Sequence, residues 1–468
     1  MSPRQTAPGL GTASPPRLER IRRRYEPALV FVRGSDTAKA AGLAGAMIAN
    51  NALALAATVV FARVIGDYGS LAALVAYLLI LTVAGQAMQV ATAREGVLGH
   101  LGVGEGLLAT LRSWTKTMAI FTVLVTAFSI LLRQPIAGLI GVPKGDAWAA
   151  AAGLPSGCMY LEVSLLRGAL LAVGDYKTVG LSLIGEQAAR LVFGTILAVV
   201  GLAVAGAFLG SVAGYVLMSL YCAWELRRRV RAGEQTAAGE RLVRRAVGAA
   251  IGLWTHVRRA WVAIAGLAVI QLLQNLDLIA AKHRFSSDMA SSYAATAVAA
   301  KVLIWVAMGA GFYLVPECSR RWSEGTDTRP VLLKTVGIVA VCAVPCLLIF
   351  AVAAHPLLSI VFGERRATAS ESLLPLGAAF TVLAFTYLAV QYMLALRRMA
   401  FLIVLGAVAV VEPVLLLHAP QHPAGFAAVV LVVQAVGAVL AFVLALRRDP
   451  RAPPAAVVNP EPAFEPPV

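Results

Sequence analysis

Apolar blocks of about twenty residues recur along the chain, separated by short polar breaks. A helix that crosses the hydrocarbon core of a bilayer needs about 20 mostly apolar residues. Twelve stretches meet that length: 38–62, 70–92, 114–132, 147–166, 178–200, 204–224, 260–281, 291–315, 331–353, 372–395, 399–417 and 425–446. The pattern predicts an all-α polytopic membrane protein with twelve transmembrane helices. Small residues crowd the blocks, as in GLAGAMIANNALALAA (42–57), and such residues let membrane helices approach closely. Pro155, Pro345, Pro375 and Pro413 fall inside blocks and are expected to interrupt their helices.

The widest break splits the pattern in two. Residues 225–259 carry ELRRRVRAGEQTAAGERLVRR between the sixth and seventh blocks. The expected organisation is a basic, disordered cytoplasmic N-tail (1–37), a first six-helix bundle (38–224), a basic cytoplasmic linker (225–259), a second six-helix bundle (260–446) and a Pro-rich cytoplasmic C-tail (447–468). A charged linker at the midpoint points to internal duplication. YGSLAAL (68–74) and ASSYAAT (290–296) are weakly alike, and each opens the block that follows it. Within the N-tail, RLERIRRRYEPALVFVR (17–33) is too short in its apolar core for a secretory signal. It suits an amphipathic helix on an anionic inner leaflet.

Composition agrees with the pattern: 59% hydrophobic, 14% charged, mean hydropathy +0.79, against about 25% charged for a soluble domain. A net charge of +16 would suggest nucleic acid in a soluble protein, but the cations here are sorted by side. With the N-terminus in the cytoplasm, 31 of the 40 Lys and Arg fall on inner segments or inner helix ends, and 7 on outer ones. Arg167 and Lys177 are assigned to the inner break after the fourth block. This is the positive-inside distribution of a plasma-membrane protein with both termini inside, and no nucleic-acid partner is expected.

Several chemistries have no support. The outer breaks are too short for a catalytic domain, and no GxxxxGK[ST] motif is present, so no nucleotide is hydrolysed by that route. His283, His355, His418 and His422 are scattered, and Cys158, Cys222, Cys318, Cys342 and Cys346 have no metal-ligand spacing. No metal, cofactor or enzymatic activity is expected.

Charges deep in the blocks carry more information. They cost roughly 2.5–3.5 kcal/mol each on insertion scales and normally face the bundle interior or water. Five stand out: Glu186, Arg190, Asp277, Lys301 and Glu412. Glu186 and Arg190, in LIGEQAARLVFG (183–194), are at i and i+4 and share a helix face. Either they neutralise each other, or Arg190 is an anion-binding group in a central cavity while Glu186 holds it or exchanges protons. In QLLQNLDLIAAKHRF (271–285), Gln271, Gln274 and Asn275 form a polar face next to Asp277. The amides either glue helices or line the cavity, and Asp277 reads as a cavity or coupling group. Lys301 lies about 15 Å into its helix at 1.5 Å per residue, too deep to reach the interface. It must pair with a carboxylate such as Asp277, or face water or an anionic substrate. Glu412, beside Pro413, is a further ion-pair or coupling candidate. Asn50, Asn51, Gln86 and Gln89 add amides from the first two helices, and Arg94 and Glu95 stand at the inner mouth.

Three stretches carry a family likeness: 37–95, from TAKAAG to ATARE; GDYKTVGLSLIGEQAARLVFG (174–194); and NLDLIAAKHRFSSDMASSYAATAVAAKVLIW (275–305). The first helix ends in A-R-x-x-G, a Tyr-Gly turn follows, and the long second helix ends in A-R-E. A G-x-Y turn then precedes a helix bearing Glu and Arg. This order resembles the polysaccharide-translocase branch of the multidrug/oligosaccharidyl-lipid/polysaccharide exporter superfamily. The A-R-V-I-G-D-Y-G turn is shorter than the usual family form. The resemblance implies two six-helix bundles around a central cavity, alternating access, and flipping or export of a lipid-linked oligosaccharide or polysaccharide precursor. Its implied partners are that glycan substrate, membrane lipids and polysaccharide-synthesis enzymes. A (di)phosphate headgroup needs cations; Arg190, Lys301 and Arg94 would serve inside, and Arg63 would receive it at the outer end of the first helix.

Three other readings compete. A drug or metabolite antiporter on the same fold would have a smaller, more aromatic and acidic cavity. A major-facilitator transporter would carry G-x-x-x-D-[RK]-x-G-[RK]-[RK] after its second span, which 94–116 lacks. A membrane scaffold would act through the basic linker. Without a nucleotide site, transport is expected to run on an ion gradient or membrane potential, with Glu186 or Asp277 as proton carrier.

Overall fold

The computed structural model describes residues 36–234, 252–396 and 398–447. Expectations for 1–35, 235–251 and 448–468 lie outside the described residues. Among the described residues thirteen α-helices follow one another: α1 Asp36–Val64, α2 Tyr68–Val97, α3 Glu105–Leu131, α4 Arg133–Ile140, α5 Ala147–Ala172, α6 Tyr176–Leu197, α7 Ala203–Glu234, α8 Leu253–Arg284, α9 Ser287–Ser323, α10 Arg329–Phe362, α11 Leu373–Ala395, α12 Phe401–His418 and α13 Pro423–Leu446. No strand occurs among the described residues. Without the eight-residue α4, the twelve long helices each overlap one of the twelve apolar blocks.

Several helices outrun the bilayer. At 1.5 Å per residue, the 32-residue α7 and α8 reach about 48 Å, against roughly 30 Å of hydrocarbon. Of the expected linker, 225–234 therefore continues α7, and Leu253 already opens α8. The α6–α7 break is very short: a π turn at Ala198–Leu202 holds Gly201 at φ +115°, where a side chain is disfavoured. Pro155, Pro345 and Pro413 lie inside α5, α10 and α12. α10 also holds Pro356, and its helical geometry breaks at Ala353 (φ −127°). The expectation for Pro375 needs correction. It is the third residue of α11, in the first turn, where a missing N–H costs no hydrogen bond.

Burial is inverted relative to a soluble protein. Val352 is 88% and Ile403 81% exposed, whereas Arg167 and Glu412 are 0% exposed. Helices hide their own backbone polar groups, so an apolar exterior of this kind suits lipid. The chain is a multi-pass membrane protein.

In the N-terminal half α2 packs on α5, α1 on α6, and α6 on α7; in the C-terminal half α9 packs on α11, α11 on α13, and α8 on α12. The halves meet along α2 and α8, which run antiparallel. Lys282 donates to Asp67 at one end of this seam, at 2.8 and 3.0 Å. At the other end Thr92 Oγ1 meets His256 Nε2 at 3.0 Å, and Arg259 reaches Glu95 at 3.3 Å. We call the end at which α7 leaves and α8 begins the linker face, and the opposite end the distal face. The distal face carries further cross-half bonds. Arg366 donates to the carbonyls of Ala62, Ile65 and Gly66 at 2.8–3.1 Å. Arg63 donates to those of Ile360 and Val361. The amide of Gly69 donates to Ser291 Oγ at 2.8 Å.

Candidate functional site: a polar cavity between the halves

A cavity of about 300 Å³ lies between the two halves. α1 contributes Asn50 and Asn51, α2 Tyr68 and Gln86, α6 Glu186, Gln187 and Arg190, and α7 Ser211 and Tyr215. The C-terminal half adds Gln271, Gln274 and Asn275 from α8, and Lys301 and Trp305 from α9.

The α6 wall is set by α7. Gly206, Gly210 and Gly214 recur every fourth residue and face α6. A Cβ on Gly210 would fall 2.6 Å from the Gly194 backbone and 2.8 Å from the Arg190 carbonyl, and one on Gly214 would fall 2.9 Å from the Glu186 carbonyl. Small residues at this spacing let two helices touch along their backbones. The α6 face bearing Glu186 and Arg190 is thereby held against α7 and turned to the cavity. At the linker end Asp175 caps α6, accepting from the Thr178 amide (3.2 Å) and Thr178 Oγ1 (2.8 Å).

Glu186 does not pair with Arg190. Its Oε2 accepts a 2.8 Å bond from Nη2 of Arg167 on α5. Arg167 also donates from Nε to Ser182 Oγ (2.8 Å) and from Nη2 to the Ser182 carbonyl (2.9 Å). Arg190 lines the cavity with no hydrogen bond or ion pair among the described residues, and its Nε is buried without a partner. The i, i+4 spacing permits a Glu186–Arg190 pair, but Arg167 has taken the carboxylate.

On the opposite wall Lys301 is 7% exposed. Its Nζ lies 3.3 Å from Asn275 Oδ1 and 3.6 Å from Asp277 Oδ1, and it sits 5.2 Å above the Phe380 ring. Among the described residues neither carboxylate oxygen of Asp277 has a hydrogen-bond partner. Asn275 also donates to the Gln271 carbonyl (2.9 Å). Glu412, fully buried on α12, accepts from Gln434 Nε2 at 3.1 Å, and its Oε2 has no partner. Asp277 and Glu412 stand behind the wall rather than on it.

Of the residues expected in the cavity, Asn50, Asn51, Gln86, Gln274, Asn275, Arg190 and Lys301 line it, as does Glu186. Gln89 and Arg94 do not. The Gln89 backbone lies against α5, where a Cβ on Gly168 would meet its carbonyl at 2.5 Å. Arg94 is exposed near the linker-face end of α2, outside the cavity wall. Arg63, expected to receive a headgroup, is committed to the two α10 carbonyls.

Arg167 lies within a helix and not in the inner break expected after residue 166. α5 in fact runs to Ala172, and the sequence LLRGALLA (165–172) carries the signal. Glu162 is a second intramembrane charge in α5. It lies beside Thr115, away from the cavity. The aromatic lining of Tyr68, Tyr160, Tyr215 and Trp305 gave no signal, because aromatic residues are ordinary in membrane helices.

No family model and no curated protein matches the chain. Solved structures do. An inward-facing multidrug-resistance MATE family transporter of the MOP superfamily aligns at 13% identity, over 85% of this chain and 93% of its own, with TM-score 0.67. The lipid II flippase MurJ, in an inward closed conformation, aligns at 12% identity over 86% of each chain, with TM-score 0.64. A MOP-superfamily transporter from Pyrococcus furiosus aligns at 15% identity over 88% and 96%, with TM-score 0.55. The chain thus has the fold of the MOP-superfamily transporters, two six-helix bundles around a central cavity.

Proposed function

We propose that the protein is a translocase that moves a lipid-linked oligosaccharide or polysaccharide precursor across the plasma membrane by alternating access. The headgroup's phosphate enters the central cavity while the isoprenoid tail stays in lipid. One observation carries this reading: Arg190, without a hydrogen bond or ion pair among the described residues, faces a cavity whose polar lining is mostly amides and hydroxyls beside Glu186 and Lys301. A guanidinium forms bidentate, charge-assisted bonds to phosphate, and the surrounding Asn and Gln suit sugar hydroxyls. That one fold neighbour is described as a lipid II flippase supports the class of cargo.

Coupling belongs to the C-terminal wall. Glu186 is engaged by Arg167, whereas on the C-terminal side the buried Lys301 lies 3.6 Å from Asp277, and the buried Glu412 accepts only from Gln434 among the described residues. A proton carried by Asp277 would balance that side. Transport in proteoliposomes should therefore respond to a pH gradient or membrane potential; indifference to both, and to sodium, would remove the coupling proposal.

The aromatic lining favours a second reading, an antiporter of apolar cationic drugs, on the same fold as the MATE neighbours. Native mass spectrometry of the purified protein separates the two. A co-purifying saccharide on a lipid (di)phosphate, lost in Arg190→Ala, is the expected result. Glycan export that continues unchanged in Arg190→Ala would overturn the anion-site reading.

A further inference from the structure

We propose that Arg167 is a positioning residue that keeps Arg190 available to an anion by holding Glu186 away from it; this rests on the reading of Arg190 as the headgroup's cation. Glu186 and Arg190 lie one turn apart on α6, the spacing at which Glu and Arg pair on a helix. Where two such groups are shielded from bulk water, that pairing is stronger than at a surface. Left alone, Glu186 would neutralise Arg190, and an incoming phosphate would have to displace an internal carboxylate.

The structure contains the alternative partner. Arg167 comes from a different helix, is 0% exposed, and holds Glu186 Oε2 at 2.8 Å. Its own direction is set by Ser182, which accepts from Nε through Oγ and from Nη2 through its carbonyl. Ser182 lies one turn before Glu186, so the Ser182–Arg167–Glu186 chain stays on the linker-face side of Arg190. The three charges leave one excess positive charge, and it stands where the cavity is.

The test uses the full-length purified protein, with farnesyl diphosphate as the probe and its affinity as the readout. Arg167→Gln should weaken binding by about tenfold or more, because Glu186 is then free to occupy Arg190. Arg167→Gln combined with Glu186→Gln should restore wild-type affinity or better. Glu186→Gln alone should tighten binding, since a negative charge one turn from Arg190 is removed. A purely structural Arg167 predicts a double variant as weak as the single one, and that result would overturn the proposal, as would weakened binding in Glu186→Gln. If Arg167→Gln does not fold, Arg167→Lys serves in its place. Its ammonium does not reproduce the guanidinium's fork to Ser182 and Glu186, and its weakening must likewise be cured by Glu186→Gln. The parent reading fails separately: if Arg190→Ala binds the probe like wild type, Arg190 is not the anion site. If Arg190→Ala loses binding while Arg167→Gln retains it, only the positioning role falls.

Discussion

At the scale of single residues, the two cavity cations differ in what depends on them. Among the described residues Arg190 has no partner to orphan, whereas Lys301 is the cation beside Asp277, which is 1% exposed. Removing one member of a buried pair costs roughly 3–5 kcal/mol because the other charge remains. Under the proposed function, Arg190→Ala is therefore expected to lose glycan export while keeping the wild-type melting temperature in detergent. Lys301→Ala should lose both, and Lys301→Ala with Asp277→Asn should regain stability but not export. Equal melting of both single variants would contradict the assignment. The sequence identified the chemistry of these residues but not every pairing. Residue spacing along α6 defines which groups share a face. It does not reveal that α5 brings Arg167 to Glu186, because that is a tertiary contact between helices. The same limit applies to Gln89 and Arg94, polar residues on a cavity helix that are turned elsewhere.

At the scale of elements, helix positions were legible because the requirement for an apolar span dominates every other preference in a bilayer. Helix ends were less so: α5, α7 and α8 run past their apolar blocks, since polar residues such as those of ELRRRVR continue a helix without penalty once outside lipid. The close α6–α7 contact shows what small residues do here. Gly210→Ala would set a Cβ 2.6 Å from backbone that has no room to yield. Overpacking of this kind costs about 1–3 kcal/mol. A lowered thermal midpoint, with diphosphate binding weakened because α6 is displaced, is the expected result. Gly337→Ala, in the interior of α10 where a Cβ meets nothing within 4 Å, is the control and should melt at or above wild type.

At the scale of the whole molecule, the weak likeness between YGSLAAL and ASSYAAT has a spatial counterpart. Gly69 and Ser291, one from each stretch, are joined by the 2.8 Å bond at the distal face, so the two segments meet where the halves close. Arg366, 3% exposed, clamps the α1–α2 turn from the other half, and Lys282 holds Asp67 beside it. Under the proposed alternating access, these bonds are released in the other state. Asp67 is one titratable group of this closure, and its contribution to the pH dependence has a definite sign. Burial alone would raise its carboxyl, but hydrogen bonds from Lys282, Ser70 and Ser287 outweigh that and hold it below the usual carboxylate range. A carboxylate depressed on folding stabilises the closed face fully above its unfolded value, near pH 4, and loses that contribution only as the pH falls through the folded value. Protonation of Asp67 therefore does not open the distal face at about pH 5–8. Labelling of Ser291→Cys, in a background without other cysteines, by a membrane-impermeant maleimide should be slow and flat across that range. It should rise in Arg366→Ala and in Asp67→Asn, and remain flat with pH in the latter. Labelling that climbs steeply between pH 8 and 5 in the otherwise wild-type protein would place the opening switch elsewhere, with the buried carboxylates of the C-terminal wall the next groups to test.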